Sequence, residues 1–277
     1  MPAIHKRTNP PDTMASLPQH PDLQIALRGD AQELAVITLN RPSKRNALND
    51  ALVIALRDTF QNLPSSVRAA VIHGAGEHFC AGLDLSELSE RDAAEGVMHS
   101  RLWHTALDAV EKGPVPVVAA LHGAVVGGGL ELASACHIRV ADASAFYALP
   151  EGTRGIFVGG GGSVRVPKLI GAARMLDMML TGRVIPADEG ERLGLSQYVE
   201  PAGQALDKAL ALATRIATNA PMTNYALLHA LPRIAEQPAD HGLFTEALIS
   251  AIAQSAPEAK ARVRAFLDGK AAKVSRG

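Results

Sequence analysis

The chain is long but carries almost no net charge. It has 277 residues, 47% of them hydrophobic, and its 27 Lys and Arg side chains face 28 Asp and Glu, for a formal net charge of -1. A chain of this length can bury one large core or two modest ones. The balanced charge excludes a global attraction to nucleic acid or to an anionic membrane, so an anionic ligand would need a local cluster of cations.

The N-terminal segment and the cysteines indicate a cytoplasmic protein. Residues 1–20 contain four prolines and no apolar run, which predicts a flexible tail rather than a signal peptide or a membrane anchor. No later stretch stays apolar for the length of a membrane helix. Cys80 and Cys136 lack the spacing of a metal site or a disulfide framework. We therefore expect neither a metal nor a membrane partner.

The first half of the chain alternates strands with helices. The runs LQIALRG and ELAVITLN predict a β-hairpin. The segment ALVIALRDTFQNL has the apolar spacing of an amphipathic helix, capped by Asn49 or Asp50. A strand at VRAAVIHG, a helical region from about Leu85 to Val110 and a strand at VPVVAAL follow.

The second half begins with two short β-like pieces, HIRVAD and AFYALPE, and ends in helices. Four consecutive glycines, Gly159 to Gly162, precede helical segments around VRVPKLIGAARMLDMMLTG. From about Ala202 the pattern is almost entirely helical, and no internal repeat is present. This order predicts an α/β fold with a C-terminal helical extension.

Two glycine loops follow predicted strands. Gly127, Gly128 and Gly129 join a strand to a helix in GAVVGGGLELASACH, and a second glycine lies in HFCAGLD. A tight turn alone could explain the triplet. However, the amides at a helix N-terminus have no intrahelical partner, so two such loops could together hold one carbonyl oxygen. No Lys-Ser/Thr follows the glycines and no GxGxxG is present, which excludes the usual phosphate loops.

Two glutamates lie beside these loops. Glu131 follows the triplet among apolar neighbours, and Glu151 follows Pro150 at a chain reversal. Singly, each could be an ordinary acid, one at a helix start and the other in a turn. Together with a polarised carbonyl, two carboxylates are suited to moving protons.

The segments LNRPSKRNAL, HFCAGLDL, AALHGAVVGGGLELASACHIRVAD, YALPEGTRGI and LTGRVIPADEGERLGLSQYVEP occur in an order and spacing that resemble the crotonase superfamily of enoyl-CoA hydratases and isomerases. The resemblance is clear over residues 22–205 and weak beyond them. Beyond the flexible tail that composition predicts over 1–20, it implies a catalytic core over 21–205 built as a spiral of ββα units and an oligomerising helical region over 206–277. Homotrimers, or hexamers made of two trimers, and acyl-CoA thioester substrates are also implied.

The resemblance assigns roles to matching positions. The backbone N–H groups of Leu83 and Gly128 would form the oxyanion hole for the thioester oxygen. Glu131 would take a proton from a water that attacks Cβ, and Glu151 would deliver a proton to Cα. Retention of both acids favours a hydratase.

Further matching positions concern coenzyme A. Ala47 and Ala81 correspond to backbone contacts with the adenine and the pantetheine, although small residues there could equally serve packing. Lys44 and Arg45 could meet the CoA phosphates or simply be solvated. No metal or separate cofactor is expected, because coenzyme A is part of the substrate.

The chain departs from the family pattern at His137, where an aspartate is common, and this questions the local hydrogen bonding. The glycine run Gly159–Gly162 could make a pocket wall mobile or let helices pack closely. Tyr147 and Phe157 could each bound the acyl pocket or pack in the core.

Other functions remain open at this level. An enoyl-CoA isomerase moving a double bond between the third and second positions, or another acyl-CoA enolate reaction such as C–C cleavage or hydrolysis, would use the same scaffold. A non-catalytic member that binds RNA is a third possibility, which the balanced charge and the two glutamates disfavour.

Overall fold

The computed structural model describes residues 17–87 and 90–270, so most of the predicted N-terminal tail lies outside the described residues. The described strands are β1 (Leu23–Arg28), β2 (Leu34–Leu39), β3 (Ala69–Gly74), β4 (Val117–Leu121), β5 (Ala124–Val126), β6 (Ile138–Asp142), β7 (Phe146–Ala148), β8 (Ile185–Pro186) and β9 (Tyr198–Glu200). The described helices are α1 (Asp50–Gln61), α2 (Ala93–Glu111), α3 (Gly128–Ala135), α4 (Gly162–Ile170), α5 (Ala172–Thr181), α6 (Ala187–Leu193), α7 (Ala205–Ala217), α8 (Pro221–His229), α9 (Leu231–Ala235), α10 (Ala239–Ser255) and α11 (Pro257–Leu267).

The chain passes repeatedly between two sheets. Six strands pair in the order β1-β2-β3-β4-β6-β9, and three pair in the order β5-β7-β8. The predicted hairpin is the antiparallel pair of β1 and β2, and the other pairs of the larger sheet are parallel. Each of β4 and β6 is followed by a strand of the smaller sheet and then by a helix, α3 or α4. This is the ββα repeat that the resemblance to the crotonase superfamily implies.

Alternate residues of the larger sheet enter two different cores, because successive side chains of a strand point to opposite faces. Ile37 and Ile72 lie in the main core together with α1, α2 and α3. Val71 and Val118 pack on the other face, against Ala209 of α7. The helix α7 therefore packs on the sheet, although it opens the helical region that the sequence assigns to residues 206–277.

The two long helices of the first half begin at caps. Asn49 caps α1, because its side chain accepts the N–H of Leu52 at 2.8 Å. The predicted helix from Leu85 is wrong at its start: Leu85–Glu87 is a separate 3-10 turn, and α2 begins at Ala93. Asp92 and Glu95 form a reciprocal capping box there, which sets the first turn of α2.

The C-terminal helices α8 to α11 follow as the sequence predicts. They leave many apolar side chains exposed, among them Leu243, Phe244 and Leu248 on α10 and Phe266 and Leu267 on α11. Within the described residues, no helix combines the length and the apolar character that crossing a membrane requires.

Candidate active site

The first glycine of the triplet forms the turn between the smaller sheet and α3. Gly127 has a φ of 54°, which glycine adopts without steric cost. Its N–H donates to the carbonyl of Ala148 at 2.9 Å and so ties the turn to β7. A Cβ at this position would lie 2.7 Å from Oε1 of Glu151. Gly127 thus provides both the turn and the space that Glu151 occupies.

The next two glycines allow close packing. A Cβ on Gly128 would lie 3.1 Å from the ring of Trp103 and 3.4 Å from the backbone nitrogen of Leu83. A Cβ on Gly129 would lie 2.3 Å from the carbonyl oxygen of Cys80. The start of α3 approaches the second glycine loop only because these side chains are absent.

The two glycine loops lie side by side and carry two unused amides. The N–H of Val126 donates to the carbonyl of Cys80 at 3.0 Å, and a Cβ on Gly82 would lie 3.3 Å from the nitrogen of Gly128. Within residues 17–87 and 90–270, neither the N–H of Leu83 nor that of Gly128 donates a hydrogen bond. Both residues line one cavity, so their amides are available to a ligand.

Glu131 is held by the glycine run. Glu131 is only 3% exposed. Its Oε1 accepts hydrogen bonds from the N–H groups of Gly160 and Gly162, each at 2.8 Å. Burial raises the pKa of this carboxyl, while the two amide bonds and the charge of Arg165 oppose that rise. A Cβ on Gly162 would lie 2.9 Å from Oε1. The run is therefore a close approach of backbone to the carboxylate.

Glu151 lies in a different environment. It follows β7, is 8% exposed, and its Oε2 is buried with no hydrogen-bond partner among the residues that the structure describes. Burial, with a smaller contribution from the charge of Glu131, raises the pKa of Glu151 to about 7. A carboxyl with this pKa can give or take a proton near neutral pH.

Both glutamates line one cavity of about 190 Å³ with Leu83 and Gly128. Its remaining wall is formed by the loop after Glu151, by α2 and by a residue just before α2: Ile156, Phe157, Val158, Gly159, Gly160, His99, Ser100, Trp103 and Arg91. Of the two aromatic residues left open by the sequence, Phe157 lines the cavity, whereas Tyr147 is fully buried in the main core. The cavity is thus apolar and aromatic, with a few polar groups, as small-molecule sites usually are.

The four residues predicted to contact coenzyme A lie beside this site but do not line its cavity. Ala47 is buried, Lys44 and Arg45 are exposed, and Ala81 donates its N–H to the carbonyl of Arg45 at 3.0 Å. This segment joins the loop of Leu83, because the N–H of the residue after Ala47 donates to that loop. Their contacts with coenzyme A stay a prediction.

Sequence reasoning missed the residue that holds this segment. Asn46 is fully buried with a φ of 56°. Its Nδ2 donates to the carbonyls of Ala75 and His78, at 2.9 and 2.7 Å, and its Oδ1 accepts the N–H of Arg41 at 2.8 Å. An asparagine in a polar turn was the available signal, since asparagine tolerates a positive φ.

The glycine run and His137 are settled by their contacts. Gly160 and Gly162 approach Glu131, so close packing accounts for the absence of side chains there. His137 accepts the N–H of Val117 at 3.0 Å, and its other ring nitrogen lies 3.0 Å from the carbonyl of Glu111. The histidine therefore satisfies the hydrogen bonding that its place in the motif put in question.

The protein is an α/β protein with two carboxylates in one small-molecule-sized cavity. Comparison with known proteins identifies the family. Residues 29–273 match the enoyl-CoA hydratase/isomerase family. Enoyl-CoA hydratase EchA19 of Mycobacterium tuberculosis is 32% identical over 93% of this chain and 98% of its own length. The 2,3-dehydroadipyl-CoA hydratase of Escherichia coli is 35% identical over 85% of this chain and 92% of its own length.

Solved structures agree. A Rhodopseudomonas palustris CGA009 protein, named only provisionally as an enoyl-CoA hydratase, is 61% identical with a TM-score of 0.87, covering 90% of this chain and 95% of its own. This chain belongs to the enoyl-CoA hydratase/isomerase family. Its α/β fold, including the C-terminal helices, is the crotonase fold predicted from the sequence.

Proposed function

We propose that this protein is an enoyl-CoA hydratase, which adds water syn across the 2,3 double bond of a 2-enoyl-CoA thioester. The observation that carries the proposal is the convergence of two buried carboxylates, Glu131 and Glu151, on one cavity with two amides free to bind a ligand. Relatives named enoyl-CoA hydratases support the substrate class.

The amides of Leu83 and Gly128 bind the thioester oxygen in this mechanism. Addition to the β-carbon moves negative charge onto that oxygen, and two preorganised N–H donors stabilise the enolate-like transition state. Gly128 also opens α3, so the positive end of the helix dipole faces the same oxygen. This part of the site uses only backbone N–H groups, so it does not depend on the side chain at Leu83.

The two glutamates move the protons. Glu131, ionised, takes a proton from water as the water oxygen attacks Cβ, and Glu151, protonated, delivers a proton to Cα. One water is thereby added and no proton is gained or lost overall. The cycle closes when the proton now on Glu131 returns to Glu151. No separate cofactor takes part in these steps, because the thioester itself activates the double bond.

The test is hydration of crotonyl-CoA, a longer enoyl-CoA and an aromatic one, followed by loss of the ultraviolet absorbance of the conjugated thioester. Glu131→Gln and Glu151→Gln should each lower kcat by roughly 100-fold or more. Glu191→Gln, an exposed acid on α6, is the matched control and should keep full activity.

Other outcomes point to other reactions. If the wild type hydrates none of these substrates but isomerises a 3-enoyl-CoA, and this activity survives Glu131→Gln, the protein is an isomerase that depends on Glu151. If hydration survives both substitutions, the two-carboxylate mechanism is wrong. A salt-dependent complex with RNA and no turnover would favour the non-catalytic alternative.

The proposal includes a homotrimer or a hexamer as its working form. The exposed apolar side chains of α10 and α11 favour association, since large exposed apolar patches usually mark an interface. Light scattering coupled to gel filtration should give three or six times the chain mass of 29.0 kDa.

A further inference from the structure

Arg165 also binds the glycine run that holds Glu131. It lies in the first turns of α4, and its side chain is 8% exposed. Its Nη1 donates to the carbonyl of Gly160 at 3.0 Å. Gly160 therefore presents its N–H to the carboxylate of Glu131 and its carbonyl to the guanidinium.

The guanidinium is anchored to a separate element. Its Nη2 and Nε form ion pairs with Asp108 and Glu111 of α2, at 2.7 and 2.8 Å. The three nitrogens of the guanidinium thus donate to three different acceptors in one plane. A lysine ammonium on a flexible stem cannot reproduce this geometry. The same helix, α2, carries Trp103 and His99 of the cavity wall.

The loop conformation depends on this contact. Gly161 has a φ of 98°, and a Cβ there would lie 2.4 Å from Nη1 of Arg165. The absence of a side chain lets the guanidinium reach the loop between the two amides that bind Glu131. The contact between Arg165 and the glycine run therefore requires a glycine at position 161.

We propose that Arg165 is a positioning residue of the reaction: through the carbonyl of Gly160 it holds the glycine run against α2, so that the amides of Gly160 and Gly162 fix the carboxylate of Glu131. The effect of Arg165 on turnover rests on the proposed function, because that function gives Glu131 its catalytic role. The positioning of Glu131 by Arg165 does not depend on it. Without Arg165 the run has fewer restraints, and Glu131 is both displaced and less favoured as an anion.

The charged groups around Glu131 set the expected pH behaviour. They are Glu151 on the loop after β7, Arg165 on α4, and Arg91 and His99 across the cavity. Only Arg165 is changed in the test. Losing its positive charge and loosening the amides both disfavour the carboxylate, so ionisation of Glu131 moves to higher pH.

The experiment compares Arg165→Gln with Arg183→Gln. Arg183 also makes two ion pairs, with Asp177 and Glu189, but outside the cavity. Arg165→Gln should lower kcat by roughly 10- to 100-fold with little change in KM, as loss of a supporting contact typically does, and should move the acidic limb of the kcat/KM profile to higher pH. Arg183→Gln should change neither.

Two further variants test the route. In a Glu131→Gln background, Arg165→Gln should cause little additional loss of kcat, because its effect passes through Glu131. Arg165→Lys keeps the positive charge but loses the planar set of donors, so its kcat should lie between those of wild type and Arg165→Gln. If Arg165→Gln does not fold, Asp108→Asn with Glu111→Gln removes the anchors while keeping the arginine, and should reduce kcat in the same direction.

The titration of Glu131 gives a readout that needs no turnover. The infrared band of its protonated carboxyl, assigned by its loss in Glu131→Gln, should titrate at higher pH in Arg165→Gln than in wild type. An unchanged midpoint in a folded variant, or an equal and additive loss of kcat in the Glu131→Gln background, would overturn the proposal. A wild type inactive on every enoyl-CoA would overturn the proposed function but leave this titration informative.

Discussion

Glu131 and Glu151 line the same cavity, but the chain surrounds their carboxylates differently. Oε1 of Glu131 accepts two backbone amides, whereas Oε2 of Glu151 is buried without a partner in the described part of the chain. Each acid has its own glycine segment: one run donates its amides to Glu131, and the turn at Gly127 only makes room for Glu151.

The difference matches the two proton-transfer roles proposed for the acids. Amide donors favour the ionised form of a carboxyl, and burial without donors favours the protonated form. Burial raises the pKa of both carboxyls, but at Glu131 the two amide donors oppose that rise, which favours its proposed role as the base. Glu151, with a pKa raised to about 7, can act as the acid near neutral pH. Environments that push two acids toward different protonation states are a recurring way to divide such roles.

The largest effect is expected at Gly129, whose role is packing alone. In Gly129→Ala the new Cβ meets the carbonyl oxygen of Cys80 at 2.3 Å, and main chain on both sides cannot move aside. We expect a loss of about 3 kcal/mol or more in the free energy of unfolding, measured by chemical denaturation. A variant as stable as wild type would contradict the close contact between Gly129 and the carbonyl of Cys80.

Glu151 should destabilise the fold once it ionises. Its pKa in the folded state is about 7, against an ordinary value of 4.5. Between these pH values the folded protein binds more protons than the unfolded chain, so its stability falls as pH rises. The cost is complete above pH 7 and amounts to about 3 kcal/mol. Glu151→Gln carries no such charge.

The difference in stability between Glu151→Gln and wild type should therefore grow by about 3 kcal/mol from pH 4.5 to pH 8.5. Chemical denaturation at the two pH values measures it. A difference that does not change with pH would mean that Glu151 ionises as freely in the folded chain as in the unfolded one.

Gly162 should affect catalysis more than stability. A Cβ there would lie 2.9 Å from both Cγ and Oε1 of Glu131. The Glu131 side chain could move away only by breaking its hydrogen bonds to the amides of Gly160 and Gly162. We expect Gly162→Ala to lower kcat by roughly 10- to 100-fold. Gly96→Ala is the matched control, because Gly96 does not line the cavity and its Cβ would meet no atom within 4 Å. Equal losses of kcat in both variants would contradict this role of Gly162.

The smallest effect is expected at a glycine with no such neighbour. Gly96 lies inside α2, and a Cβ there would have no atom within 4 Å. Gly96→Ala should raise the free energy of unfolding by about 0.5–1 kcal/mol through helix propensity, detectable as a small rise in Tm. A destabilised variant would show that this part of α2 is not the regular helix described.

Much of the fold was predictable because its signals are local. Alternating and 3.6-residue apolar patterns predicted the hairpin, α1 and the C-terminal helices, and Asn49 was among the predicted caps. The start of α2 was not predicted, because the capping box at Asp92 lies within a polar segment whose composition also suits a helix. Ordered motifs predicted Glu131 and Glu151 as neighbours of the glycine loops.

The sequence by itself determined the class of fold, the family and the two acids, since periodicity and motif order can be read along the chain. Only the tertiary structure decided how each acid is held. The bonds from Gly160 and Gly162 to Glu131 span 29 and 31 residues, and the ion pairs of Arg165 span 54 and 57. Partners so far apart in the chain meet only when separate helices pack, and packing also decides which carboxylate oxygen is left without a donor.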